Sequence, residues 1–158
     1  NYTYTNSSIQ VEDGDTIVDP VSAANGNIVL LDATTFGLDG EPMQGTPEHI
    51  ANAQFGWEGD NDQFTILVGW VDERILQRGN PNAEGGRPNV VEKPGIQLDA
   101  VYRYDVNIAG ADFTIGLSAR NLLGTDHEEY QNSSSIGRTE FYTYERGRSL
   151  SASLTAHF

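Results

Sequence analysis

Residues 149–158 read Ser, Leu, Ser, Ala, Ser, Leu, Thr, Ala, His, Phe, so Leu150, Ala152, Leu154, Ala156 and Phe158 alternate with Ser149, Ser151, Ser153, Thr155 and His157. Successive side chains of an extended chain point to opposite faces, so the segment has one apolar face and one small polar face. A helix would mix the two sets. The pattern therefore specifies a strand that separates two unlike environments. A water-soluble sheet can be written this way, and so can the closing strand of a transmembrane barrel, which is apolar outside and polar inside.

The same period recurs along the chain and predicts six strands in all. They are Tyr2 to about Ile9, about His49 to Trp57, Phe64 to about Arg74, Ile96 to Val106, Phe113 to Asn121, and the terminal strand, starting at Ser149 or as early as Thr139. Phe64, Ile66, Val68 and Trp70 share one face of the third strand, whose opposite face (Thr65, Leu67, Gly69, Val71) is less polar than the pattern asks. No stretch carries a convincing helical repeat. Residues 58–63 and 107–112 are tight Gly/Asn/Asp turns of the hairpin kind. The other connections, about 10–47, 75–95 and 122–140, are long and rich in Gly, Asn, Asp, Ser and Pro. Short turns alternating with long loops are the layout of an up-and-down barrel in an outer membrane, with turns inside and loops outside.

Composition narrows the choice. Hydrophobic residues make up 37% of the chain, and no apolar run approaches the roughly 18–20 residues of a membrane helix. A barrel survives this test because its apolar residues are spread over alternate positions. There is no cysteine, so disulfides and thiolate metal sites are excluded. The net charge of −14 argues against nucleic acid. Thirteen acidic residues and no Lys or Arg precede Arg74, which places the acidity in the first long loop and its flanks.

Strand direction supplies a second indication. With the terminal strand running inward, Phe55, Trp57, Phe64, Tyr102, Tyr104, Phe113 and Phe158 all fall at the inner ends of their strands and on the apolar face. That is where an interfacial aromatic girdle belongs. Trp70, Tyr142 and Tyr144 would mark the outer boundary. Six strands are too few to close a membrane barrel, whose smallest members have about 8, and an open edge in lipid leaves backbone groups without partners. The expected fold is therefore all-β, an antiparallel up-and-down transmembrane β-barrel segment that is not closed by this chain alone. The absence of a visible secretory signal at Asn1 fits removal of a leader or a start well downstream of one.

Several segments then resemble the C-terminal part of TonB-dependent outer-membrane receptors. Residues 45–52, GTPEHIAN, are similar to that family's strand start after a long external loop, and 94–99, PGIQLD, to its proline-then-Leu-Asp start. Ala119-Arg120-Asn121-Leu122-Leu123-Gly124 resembles the penultimate-strand signature, and 144–150, YERGRSL, the opening of the last strand. Phe158 stands where the family ends on an aromatic. The resemblance spans nearly the whole chain and implies about six strands of a roughly 22-stranded barrel with a plugged lumen. It implies no enzyme. It implies energised import of a scarce nutrient such as a siderophore chelate or an oligosaccharide across the outer membrane of a Gram-negative bacterium. The implied partners are the rest of the barrel, the plug (absent from this sequence), the TonB complex acting through the plug, and outer-membrane lipid and lipopolysaccharide. The barrel-assembly machinery would read the terminal strand, here Leu150, Leu154 and Phe158. A passive porin fragment and a soluble acidic β-sandwich binding module are the alternatives.

Candidate chemistry is sparse. Glu12, Asp13, Asp15 and Asp19 offer oxygen ligands for Ca²⁺, though not at EF-hand spacing, and no other cofactor is expected. His127-Glu128-Glu129 reads as a solvated loop, because the two acids point in mixed directions. His157, Asp99 and Arg103 fall on the polar face, as packing or network residues. The terminal serines lack a base or a nucleophile elbow, and residues 83–87 lack the Lys of a phosphate loop. Ligand contacts are expected from the long loops: Arg74, Arg78 and Arg87 toward an anionic chelate, Tyr130, Tyr142 and Tyr144 by stacking.

Overall fold

The computed structural model describes residues 1–79 and 87–157. It is built almost wholly of antiparallel strands: β1 (Tyr2–Tyr4), β2 (Thr16–Val18), β3 (Leu30–Asp32), β4 (His49–Glu58), β5 (Asp62–Val71), β6 (Arg74–Gln77), β7 (Val90–Lys93), β8 (Gly95–Ile108), β9 (Ala111–Arg120), β10 (His127–Ser133), β11 (Gly137–Tyr144) and β12 (Ser149–His157). One short helix, α1 (Pro20–Ala24), and a 3₁₀ turn (Ala33–Phe36) interrupt the first long connection.

Strands β1-β4-β5-β8-β9-β12 form one six-stranded sheet in that order, each hydrogen-bonded to the next and the two outer edges unpaired with each other. The six expected strands are all in it. The first is much shorter than its pattern suggested. Past Tyr4 the chain keeps only scattered bonds to the segment opposite, such as Thr5 N to Glu48 O at 2.9 Å and Ile9 N to Glu41 O at 2.9 Å.

Register decides how the two faces add up. Trp57, Phe64, Tyr102, Leu117 and Ala152 are successive cross-strand partners from β4 to β12. The next such row is Phe55, Ile66, Ala100, Ala119 and Leu150. On the other face Gly56, Thr65, Val101, Ser118 and Ser151 line up in the same way. A slip of one residue in any pair would have interleaved the two sets. The apolar rows therefore merge into one continuous face and the hydroxyl and charged rows into the other.

The hairpin β8–β9 turns through Ala109 and Gly110, both at positive φ (54° and 86°), the geometry whose twist matches paired strands. Asn107 supports it, its Oδ1 accepting from Gly110 N at 3.2 Å and its Nδ2 donating to Asp112 Oδ1 at 2.6 Å.

The described parts of the later long connections are in good part strand, and this corrects the expected loops at 75–95 and 122–140. They carry β6, β7, β10 and β11, which form a second antiparallel sheet in the order β6-β7-β10-β11. That order repeats β5-β8-β9-β12, because each of those strands continues past a short break into its counterpart. The breaks have local causes. Pro94 lacks an amide N–H and precedes Gly95 at φ 71°, while Asn121, Gly124 and Gly147 also take positive φ. The third and sixth strands accordingly end at Val71 and begin at Ser149, with Arg74 in β6 and Thr139 in β11.

Neither face of the six-stranded sheet is covered. Among the described residues no large side chain is fully buried, and Phe55 and Leu154 are 65% and 69% exposed. The buried positions, Ala33, Val90, Tyr130, Glu92 and His127, lie outside that sheet. Among the described residues, therefore, none buries a side chain of this sheet as the two layers of a sandwich core would. No described helix is long and apolar enough to cross a membrane, which says nothing of strands.

Candidate functional site: a charged and aromatic cluster on the second sheet

The Asn-Leu-Leu segment ties the two sheets together. Asn121 N donates to Asp99 Oδ1 at 2.9 Å. Its side-chain amide donates to Thr125 O at 3.1 Å and Gly147 O at 2.7 Å, and its Oδ1 accepts from Thr125 N at 2.9 Å. One residue thus holds the exit of β9 against the approach to β12. Gly124 at φ 67° lies so close to the Arg148 guanidinium that a Cβ there would sit 3.0 Å from Nη2. The residue types of these two breaks follow from that crossing.

Above it, cross-strand pairing sets Arg74, Glu92, Glu129 and Tyr142 in a row across β6, β7, β10 and β11, with His127 opposite Tyr144 on the same face. Glu92 is only 5% exposed and carries two of these contacts. Arg74 Nη2 lies 2.7 Å from its Oε2, and His127 Nδ1 lies 3.5 Å from its Oε1. His127, 9% exposed, is engaged at both ring nitrogens, with Nε2 2.7 Å from Glu129 Oε1 and Nδ1 3.0 Å from Arg146 Nη2. A buried carboxylate is tolerable only when paired and hydrogen-bonded; here Arg74 does both, and Arg146 adds a longer pairing at 3.9 Å.

Aromatic rings cap the cluster. Tyr144 stacks on the His127 ring at 4.7 Å and 27°, Tyr142 meets the same ring edge-on at 6.2 Å and 69°, and the two tyrosines are 5.5 Å apart. They stand here, on the second sheet, and not beside Trp70 at the edge of the apolar face. Trp70 instead groups with His49, Tyr2 and Tyr4, where Tyr2 OH lies 2.7 Å from His49 Nδ1.

Arg146 also lines a concave recess of about 560 Å³ over the polar face of the first sheet, with Gln97, Asp99, Arg120 and Asn121. Arg146 thus links the cluster to the recess. Below them the polar face is bonded to itself. Ser118 and Ser151 share a hydrogen bond at 2.7 Å, and Thr114 bonds Asp105 at 2.5 Å and His157 at 3.3 Å. Arg103 pairs with Asp105 at 3.4 Å, and Asp99 is held by Asn121.

The other face of the second sheet holds Tyr130, which is buried, with Arg138 over its ring at 3.9 Å and its hydroxyl donating to Glu73. Burial first, and then the Glu73 carboxylate, push the Tyr130 phenol up to about 12. Arg138 in turn pairs with Glu128 at 2.9 Å.

The six expected ligand-contact residues are thus divided three ways. Arg74, Tyr142 and Tyr144 meet around His127, and Tyr130 packs on the reverse face. Arg78 and Arg87 line a separate recess of about 390 Å³ near Leu38 and Glu41. Arg78 is already engaged there, with Glu41 Oε2 at 3.7 Å and with Pro42 O.

The solvated-loop reading of His127 does not hold, since it is a buried strand residue at the centre of the cluster. The mixed directions of its flanking acids are real: Glu129 shares its face and Glu128 does not. Glu92 carried no sequence signal of its own, and Glu129 and Arg146, though each lay in a noted segment, join it only through pairing between segments far apart in the chain.

In the acidic loop, Asp15 Oδ2 accepts from Glu12 N at 2.9 Å, and Asp19 Oδ2 accepts from Ser22 N at 3.2 Å and Ser22 Oγ at 2.6 Å. Asp32 caps the 3₁₀ turn through Thr34, which holds its exposed carboxyl below the usual range. Among the described residues no three His, Asp or Glu converge as a metal site. Phe158 and residues 83–86 lie outside the described residues. Compared with family models, with curated proteins and with solved structures, the chain matches none.

Proposed function

We propose that this chain forms part of the wall and external rim of an outer-membrane β-barrel transporter of the TonB-dependent kind, importing a scarce nutrient and performing no catalysis. The observation that carries this reading is the uncovered apolar face of the six-stranded sheet. A Leu or Phe left in water forgoes about 1.5–3 kcal/mol of burial, and this face repeats that cost from β4 to β12. In hydrocarbon the same face costs nothing, and the self-bonded polar face turns to an enclosed interior. Element length agrees. Strands β4, β5 and β9 have ten residues each and β12 nine, matching the roughly 9–11 residues of a tilted membrane strand.

On this reading Phe55, Trp57, Phe64, Tyr102, Tyr104 and Phe113 lie at one headgroup level, the Trp70–His49–Tyr2–Tyr4 group at the other, and the second sheet stands outside the bilayer. The unpaired edges of β1 and β12 pair with the remaining strands, the polar face meets a plug, and the TonB complex acts through that plug. Leu150, Leu154 and Phe158 present the assembly signal. The test is fractionation of a Gram-negative cell expressing the protein. The expected result is recovery in the outer-membrane fraction, solubility only in detergent, and a band that migrates faster unheated than heated. Collapse of the proton-motive force should abolish uptake, whereas a passive channel would continue.

A further inference from the structure

We infer that the Tyr142–Tyr144–His127 cluster is a binding platform for a neutral saccharide; this rests on the transporter reading and names its substrate class. The first observation is the platform itself. Tyr142 and Tyr144 are 57% and 46% exposed, yet their rings are ordered against a histidine fixed at both nitrogens. Two exposed phenols held by a buried support are pre-organised, so little side-chain freedom is lost when a ring settles on them.

The second observation is the charge around it. Each guanidinium at the platform already has a partner: Arg74 pairs with Glu92 at 2.7 Å, and Arg146 bonds His127 at 3.0 Å with Glu92 farther off at 3.9 Å. Glu129 lies on the same face with one carboxylate oxygen committed to His127. The group made by Arg74, Arg146, Glu92 and Glu129 has no net charge to attract an ion of either sign. At longer range the chain carries −14, which repels anions such as ferric catecholates or carboxylates.

The third observation is the rim. The Tyr142 and Tyr144 hydroxyls, the second Glu129 oxygen and the remaining Arg146 N–H groups have no acceptor or donor among the described residues. A purely aromatic ligand would desolvate them without replacing their bonds. A sugar ring offers an apolar C–H face to the tyrosines and hydroxyls that both donate and accept to the rim. It satisfies both halves of the surface.

The test uses the protein purified in detergent from the outer membrane, applied to an array of neutral gluco-, manno-, galacto- and xylo-oligosaccharides with oligogalacturonate as the anionic control. The expected result is retention of at least one neutral series and not of oligogalacturonate. Tyr142→Ala and Tyr144→Ala should each lower affinity tenfold or more, while Tyr142→Phe keeps most of it. Retention of no neutral sugar, preference for the uronate, or undiminished binding by the alanine variants would overturn the proposal. The heat-dependent band shift of the same preparations reports the barrel separately, so absence of sugar binding by unmutated protein that still shows the shift counts against the platform alone.

Discussion

Ala109 holds a backbone conformation that its side chain suits poorly. It sits at φ 54° in a two-residue turn, where a Cβ-bearing residue other than Asn or Asp costs about 1–2 kcal/mol. Ala109→Asn should therefore stabilise the protein by about 1 kcal/mol, read as a higher unfolding midpoint in urea with an unchanged slope. Tyr130 makes a pH prediction. Its phenol titrates at about 12 when folded against about 10 unfolded, so the raised value stabilises the fold fully below pH 10. That contribution is lost as pH rises from about 10 through 12, because the unfolded chain ionises first. Wild type should thus lose stability over this window and Tyr130→Phe should not, as followed by alkaline unfolding of the β-sheet circular dichroism band. At this scale the sequence was least legible. His127 read as solvated because its flanking acids point in mixed directions, and it is Glu92, Tyr142, Tyr144 and Arg146, from segments well apart in the chain, that surround it.

Elements were legible in proportion to their alternation. Strands β4, β8, β9 and β12 follow their patterns within a few residues, since a period of two fixes both the strand and its faces. Strands β6 (RILQ) and β7 (VVEK) are too short to display a period, and β10 (HEEYQNS) is polar on both faces. They exist because β5, β8 and β9 hold their neighbours in register and extend that pairing past the breaks. On the proposed barrel reading, the two faces of a strand in the six-stranded sheet should respond oppositely to charge. Ile66→Lys, in the middle of the apolar face, should cost about 2–4 kcal/mol in lipid and sharply reduce folded barrel. Val101→Lys, on the polar face between Thr65 and Ser118, should leave it nearly unchanged, as scored by the heat-dependent band shift. Phe158→Ala, or removal of Phe158, should lower the amount of folded protein in the outer membrane without lowering synthesis; equal amounts would discard the assembly role.

For the molecule as a whole, the deciding property is which solvent touches each face of the six-stranded sheet. Nitroxide labels placed one at a time from residue 149 to 156, in the protein reconstituted in bilayers, measure this through collision with oxygen, which concentrates in hydrocarbon, and with a water-soluble nickel chelate. Oxygen contact should peak at positions 150, 152, 154 and 156, and nickel contact, where any occurs, at 149, 151, 153 and 155, so that the two profiles alternate out of phase. Equal nickel contact on both faces, or even-numbered positions shielded from both reagents, would mean that the apolar face does not meet lipid.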